Sequence, residues 1–226
     1  MKTTFFPTTI FFLFITILFS SCNDEENLSK ELVKVSILNN KEVTFTSMEI
    51  DVTITYQSEN EIIERGIAWS TTPNPTIDNN TLTETANTFT SFITDLTVNT
   101  AYFFRAYITN SNGTVYSEEK SFKTLSFDNT RWKITTVYPD SNDYEIVSQV
   151  DFFEDGTTKF DELGTPGVYI TYGSWSLNGN NLTYIWEGED ANSSTQVYTG
   201  VISDLRIQGT YTHIHRSDGP WSATPM

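Results

Sequence analysis

Apolar and polar residues alternate with a period of two over much of the chain. Val33, Val35 and Ile37 are separated by Lys34 and Ser36, and Met48, Ile50, Val52, Ile54 and Tyr56 by Glu49, Asp51, Thr53 and Thr55. That period predicts half-buried strands. Gln57-Ser58-Glu59-Asn60 breaks the run with turn residues, and the β-branched and aromatic stretch from Ile62 to Ser70 predicts a third strand. Thr72-Pro73-Asn74-Pro75 cannot continue a ladder, because neither proline carries an N–H, so it reads as a loop at a sheet edge. Alternation resumes at Tyr102, Phe104, Ala106 and Ile108, which are expected to face inward. Asn110-Ser111-Asn112-Gly113 then predicts a hairpin turn, and residues 114–124 the last strand of this half.

The second half keeps the same period. Ile146, Val150 and Phe152 mark a strand that runs into Glu154-Asp155-Gly156-Thr157, where Asp-Gly predicts a tight turn. Residues 168–177 form a predicted long strand, which Asn178-Gly179-Asn180-Asn181 returns to residues 182–186. Residues 197–203, 205–213 and 221–224 add three more. Strands joined by short turns, with no helical period between them, predict an antiparallel meander, which a small protein closes into a barrel to remove its edges.

Composition narrows the function classes. The chain has 226 residues and a net charge of −16, which argues against nucleic acid or an anionic membrane surface as a direct partner. Charged residues make up 19% and aromatics 14%, so the chain has the apolar surface needed to fold. A single Cys excludes an internal disulfide and a multi-Cys zinc site, so hydrophobic cores must hold the folds. The length favours two domains of about 100 residues each over one large β domain.

Met1 and Lys2 lead into a nearly uncharged stretch from Phe5 to Phe19, too short to span a bilayer comfortably, which reads as a signal peptide. Leu18-Phe19-Ser20-Ser21-Cys22 resembles a bacterial lipobox, which implies cleavage after residue 21 and acylation of Cys22. Cleavage would remove only Lys2 among charged residues and leave the remainder more acidic. Two or three acyl chains anchor a protein stably, since each buried CH₂ contributes about 0.8 kcal/mol. Asn23-Asp24-Glu25-Glu26-Asn27 resembles the acidic surface-export tag of Bacteroidota-type lipoproteins, and reads equally as a solvated spacer.

Leu96 stands six residues before Tyr102, the spacing at which a tyrosine folds over a sandwich corner and bonds back to upstream backbone. Together with residues 64–70, Pro73-Asn74-Pro75-Thr76 and Phe122-Lys123-Thr124, this resembles a fibronectin type III domain of Bacteroidota surface proteins. Trp69 is expected in its core, and Arg105 stacked beside tyrosines on its surface. No Arg-Gly-Asp tripeptide is present, so the resemblance implies a spacer or interaction module. Further on, Trp132, then Phe152-Phe153-Glu154-Asp155-Gly156-Thr157, then residues 173–179, Tyr198 to Ile202, and Trp221-Ser222-Ala223 occur in an order that resembles the short lipocalin-like domains of bacterial lipoproteins. That resemblance implies a ligand-enclosing or sheet-surface binding role, although a barrel this small is readily filled by its own side chains.

The expected organisation is therefore a signal peptide at 1–21, an acidic tether at 22–30, a fibronectin type III-like domain at 31–125 and a lipocalin-like β-barrel at 126–226. The fold class is all-β, an immunoglobulin-like (fibronectin type III) β-sandwich followed by a small antiparallel lipocalin-like barrel. No flexible linker intervenes near Leu125, so the domains are expected to be closely coupled, although each has its own strand set.

Little in the sequence suggests chemistry. His213 and His215 are separated by one residue and lie near Asp218, without further ligands at metal-site spacing, and acid pairs such as Asp151 with Glu154 or Asp155 are expected on the surface of so acidic a chain. No cofactor, metal or enzymatic activity is expected. Aromatic density is more informative: Tyr169, Tyr172, Trp175, Tyr184 and Trp186 crowd one hairpin, and by alternation some should be exposed. Exposed Trp and Tyr stack on sugars or anchor protein interfaces. By the same alternation, Trp175 and Leu177 should share a face with Tyr169, and Tyr172 should lie opposite. Trp175 and Trp186 are the leading anchors. The expected role is a lipid-anchored outer-membrane protein capturing glycan or protein ligands at the cell surface, the alternative being a structural stalk or accessory subunit of a larger complex.

Overall fold

The structure, a computed structural model, describes residues 32–37, 42–57, 61–186, 195–213 and 217–226. The expected signal peptide, Cys22 and the acidic tether lie outside the described residues. Residues 31–226 form one compact unit. Its described elements are strands, apart from one short 3-10 turn at Pro139–Ser141. The chain is all-β, with a β-sandwich leading into a closed antiparallel barrel.

Among the described residues the sandwich has eight strands: β1 (Leu32–Ile37), β2 (Met48–Gln57), β3 (Glu64–Ser70), β4 (Asn80–Thr83), β5 (Thr88–Ile93), β6 (Ala101–Asn110), β7 (Gly113–Tyr116) and β8 (Lys120–Lys123). One sheet has the order β1-β2-β5; the other has the order β4-β3-β6-β7, with β8 also paired to β6. Ile50, Val52 and Ile54 from the first sheet meet Ile67, Phe104 and Ile108 from the second in one core, as their alternation requires. Trp69 is half-buried against this core. Arg105 lies over the Tyr116 ring, 4.8 Å from its centroid. The corner forms as expected: the Thr97 N–H donates to Tyr102 Oη at 2.9 Å.

Two features of the sandwich depart from the pattern. The last strand divides into β7 and β8 because Ser117 intrudes, its Oγ accepting from the Ala106 N–H at 3.1 Å in place of a ladder partner. Strands β4 and β5 lie in a threonine-rich stretch with weak apolar alternation, which the period-two reading passes over.

The barrel closes eight strands: β9 (Thr130–Tyr138), β10 (Tyr144–Phe152), β11 (Thr157–Glu162), β12 (Ile170–Asn178), β13 (Asn181–Trp186), β14 (Gln196–Ser203), β15 (Arg206–His213) and β16 (Gly219–Pro225). Pairing of β16 with β9, from Trp221↔Thr136 to Pro225↔Trp132, completes the circle and removes the free edge. Gly200 and Gly209 face each other across β14 and β15. A Cβ at Gly200 would meet Trp221 Cζ2 at 2.7 Å, so this glycine is what admits the indole.

The two halves share packing. Phe45, from the segment before β2, is buried in the barrel core, with its ring centroid 5.5 Å from Trp132 and 6.0 Å from Phe127. Val98 joins the same core. The Asn180 carboxamide bonds the sandwich backbone twice, accepting from the Val98 N–H at 3.1 Å and donating to Leu96 O at 2.7 Å. The Asp204 N–H donates to Thr46 Oγ1 at 2.6 Å. These contacts set a direction along the unit. β2 begins at Met48, beside this junction, and runs ten residues to Gln57. At about 3.3 Å per residue its far end is roughly 30 Å away. Leu32 pairs with Gln57, so β1 starts at the pole of the sandwich remote from the barrel.

Candidate functional site

The β12–β13 hairpin holds four of the five aromatic residues singled out above, and alternation divides them between two environments. Trp175 and Tyr184 are directly opposite each other, and both point into the barrel. Tyr184 is 1% exposed. Trp175 is half-buried, edge-on to Phe127 at 5.3 Å and Phe152 at 5.9 Å, and its Nε1–H donates to Phe153 O at 2.8 Å. Trp186 is half-buried against Phe160, and its Nε1–H donates to Thr171 Oγ1. Tyr172, on the outward side of β12, is 64% exposed. Tyr169 is 52% exposed but precedes β12, in the turn through Gly164 and Gly167, so it does not follow the alternation that would put it with Trp175. The strand starts two residues later than its apolar pattern predicts, because Val168 and Tyr169 belong to that turn.

The barrel interior is occupied by side chains. Tyr184 stacks on Tyr198 at 5.1 Å, Tyr198 lies 5.5 Å from Tyr211, and Trp221 meets Tyr198 edge-on at 5.6 Å. Towards the end remote from the sandwich, Tyr198 Oη donates to Gln196 Oε1 at 2.6 Å, and Gln196 also meets Tyr138 Oη at 3.4 Å. Burial holds the Tyr184 and Tyr198 hydroxyls far above the ordinary tyrosine range. Tyr184 Oη and Thr158 Oγ1 are both buried, and neither meets the geometry of a hydrogen bond.

Open concave surfaces lie at the junction, and one of them reaches Trp175. A cleft of about 400 Å³ is lined on the sandwich side by Thr97 and Asn99, at the connection by Ser126 and Asp128, and on the barrel side by Glu154 and Trp175. Ser126 Oγ donates to Asp128 Oδ2 at 2.6 Å. The Asn99 N–H donates to Leu125 O at 2.9 Å, which fixes that wall. Of the five aromatic residues singled out in the sequence, only Trp175 lines this cleft; Glu154, named there in an acid pair, lines it too. Asp128 and Asn180, which shape and brace it, carry no signal beyond turn chemistry.

The acid pairs separate. Asp151 is engaged by Arg131, Nε to Oδ1 at 2.5 Å and Nη2 to Oδ2 at 3.1 Å. Asp155 accepts from the Thr157 hydroxyl at 2.6 Å and the Thr157 N–H at 3.0 Å, and these bonds hold its carboxyl below the usual range. Glu154 is left at the cleft mouth. The His213 backbone N–H donates to Asp218 Oδ1 at 3.3 Å, and His215 lies outside the described residues. No group of three or more His, Cys, Asp and Glu that could hold a metal ion occurs among the described residues. Comparison of the chain with family models, with curated proteins and with solved structures returns no match.

Proposed function

We propose that this is a lipid-anchored cell-envelope protein of the Bacteroidota lipoprotein type, held in the outer membrane through Cys22, which presents its barrel to capture glycan or protein ligands at the cell surface. In this reading the fibronectin type III-like sandwich is a pedestal and the lipocalin-like barrel is the binding module. The observation that carries it is direction. The chain upstream of Leu32 joins the sandwich at the pole remote from the barrel, while exposed Tyr169 and Tyr172 lie near the barrel end remote from the sandwich. Entry of the chain at that pole suits a barrel presented away from the lipid. The filled barrel interior supports capture on outer surfaces or clefts over enclosure of a ligand. It also favours a second reading, a stalk or accessory subunit that holds a larger assembly.

Cys22→Ala should move the protein out of the membrane fraction or leave an uncleaved precursor, measured by fractionation and intact mass. An unchanged acylated product would reject the anchor. The full-length lipoprotein, tested on a glycan array and by pull-down from envelope extracts, should show saturable binding. Stable co-purification with a large assembly and no saturable ligand would favour the accessory reading.

A further inference from the structure

The geometry points to the junction cleft as a binding site for a neutral saccharide, with the Trp175 indole as the apolar contact and Asp128 and Glu154 as acceptors for sugar hydroxyls. This assignment rests on the reading of the protein as a binder, but its site is separate from the outer face of Tyr169 and Tyr172.

The cleft's size, chemistry and rigidity agree. At about 400 Å³ it falls in the lower part of the 300–1,000 Å³ range typical of small-ligand sites, which form preferentially between domains. A sugar ring is amphipathic, with C–H groups on its faces and hydroxyls around its edge, so its site needs an aromatic surface together with groups that accept and donate hydrogen bonds. Trp175 supplies the first. Its Nε1–H is already committed to Phe153 O, so the indole is held in one orientation and offers the cleft only its carbon surface. Asp128 and Glu154 accept, Ser176 and Asn99 can do both, and Ser126, whose hydroxyl proton goes to Asp128 Oδ2, can only accept. Hydrogen bonds to carboxylates are the strong ones, and a sugar hydroxyl donates to them readily.

The charge pattern narrows the class. No Lys, Arg or His is among the described residues lining the cleft, while two carboxylates are. A phosphorylated, sulfated or uronic-acid sugar would bring its negative charge against Asp128 and Glu154 without a cation to offset it, so a neutral saccharide is selected. The walls are braced before any ligand arrives. Asn180 ties the β12–β13 turn to Leu96 and Val98, and Asn99 is tied to Leu125, so the two halves need not close on the ligand.

The test uses the full chain purified in a sugar-free detergent, with titration of maltose, cellobiose and lactose, and of a heparin-derived sulfated disaccharide, followed by calorimetry and tryptophan fluorescence. At least one neutral disaccharide should bind saturably with a change in tryptophan emission, and the sulfated one should not. Asp128→Asn and Glu154→Gln should each weaken binding at least about tenfold, in line with loss of a charge-assisted hydrogen bond. Glu154 is exposed, so its variant keeps the test decisive should Asp128→Asn lower the unfolding midpoint. No neutral disaccharide binding at millimolar concentration overturns the assignment, as does binding unchanged in both variants. If Tyr172→Ala abolishes saccharide binding while both carboxylate variants bind normally, the cleft assignment falls and the reading of the protein as a binder stands. An empty glycan array together with an empty pull-down removes both.

Discussion

Tyr102 shows what one residue can reveal. Its distance from Leu96 predicts a corner bond, and the bond is present, with the Thr97 N–H donating to a phenol that is itself 6% exposed. Tyr102→Phe keeps the ring against Phe122, with which it stacks at 5.6 Å, and removes only the acceptor. The variant should therefore lose about 1–2 kcal/mol of unfolding free energy, read as a lower urea midpoint at unchanged slope; an unaltered midpoint would remove the corner bond from the sandwich's stability. Asn180 is the opposite case. It brings the sandwich and barrel together through two backbone bonds, yet in the sequence it is one asparagine in a turn rich in them. A local pattern predicts local geometry, whereas a partner more than eighty positions away leaves no trace in the spacing of one turn.

Strands were legible in proportion to their amphipathic contrast. β2, β14 and β15 follow their apolar alternation closely, because one face of each is core and the other is more open to water; β6 follows it too, although Tyr107 on its opposite face is also buried. β4 and β5 were not legible, since threonine serves either face and blurs the period. The crowding of the β12–β13 hairpin is legible in the sequence, but which rings are exposed depends on where β12 begins, and the Gly164–Tyr169 turn sets that boundary. Between β14 and β15 the controlling feature is the Gly200–Gly209 pair: the missing Gly200 side chain admits the Trp221 ring, and a Cβ at Gly209 would meet Thr199 O at 1.8 Å. Gly200→Ala places a methyl group within 2.7 Å of that indole and 2.9 Å of Ile207 Cγ2. Overpacking of this kind costs about 1–3 kcal/mol, so the variant's thermal midpoint should fall and its near-ultraviolet tryptophan dichroism should change. An unchanged spectrum would mean that Trp221 has room to move.

For the whole molecule, the barrel is completed by a residue that precedes it by more than eighty positions. Phe45 is 4% exposed among Phe127 and Trp132, so its loss opens a cavity in the second half although it belongs to the first. Phe45→Ala should destabilise the barrel by about 3–5 kcal/mol, measured by denaturant unfolding of the full chain, and a change confined to sandwich signals would contradict the shared core. The place where β1 begins has a mechanical consequence. If the chain is held upstream of Leu32 while a captured ligand pulls on the barrel, tension runs along β1, and its six residues are paired side by side with β2. Antiparallel ladder bonds lie perpendicular to their strands, so such a load shears all of these pairs together instead of unzipping them one at a time.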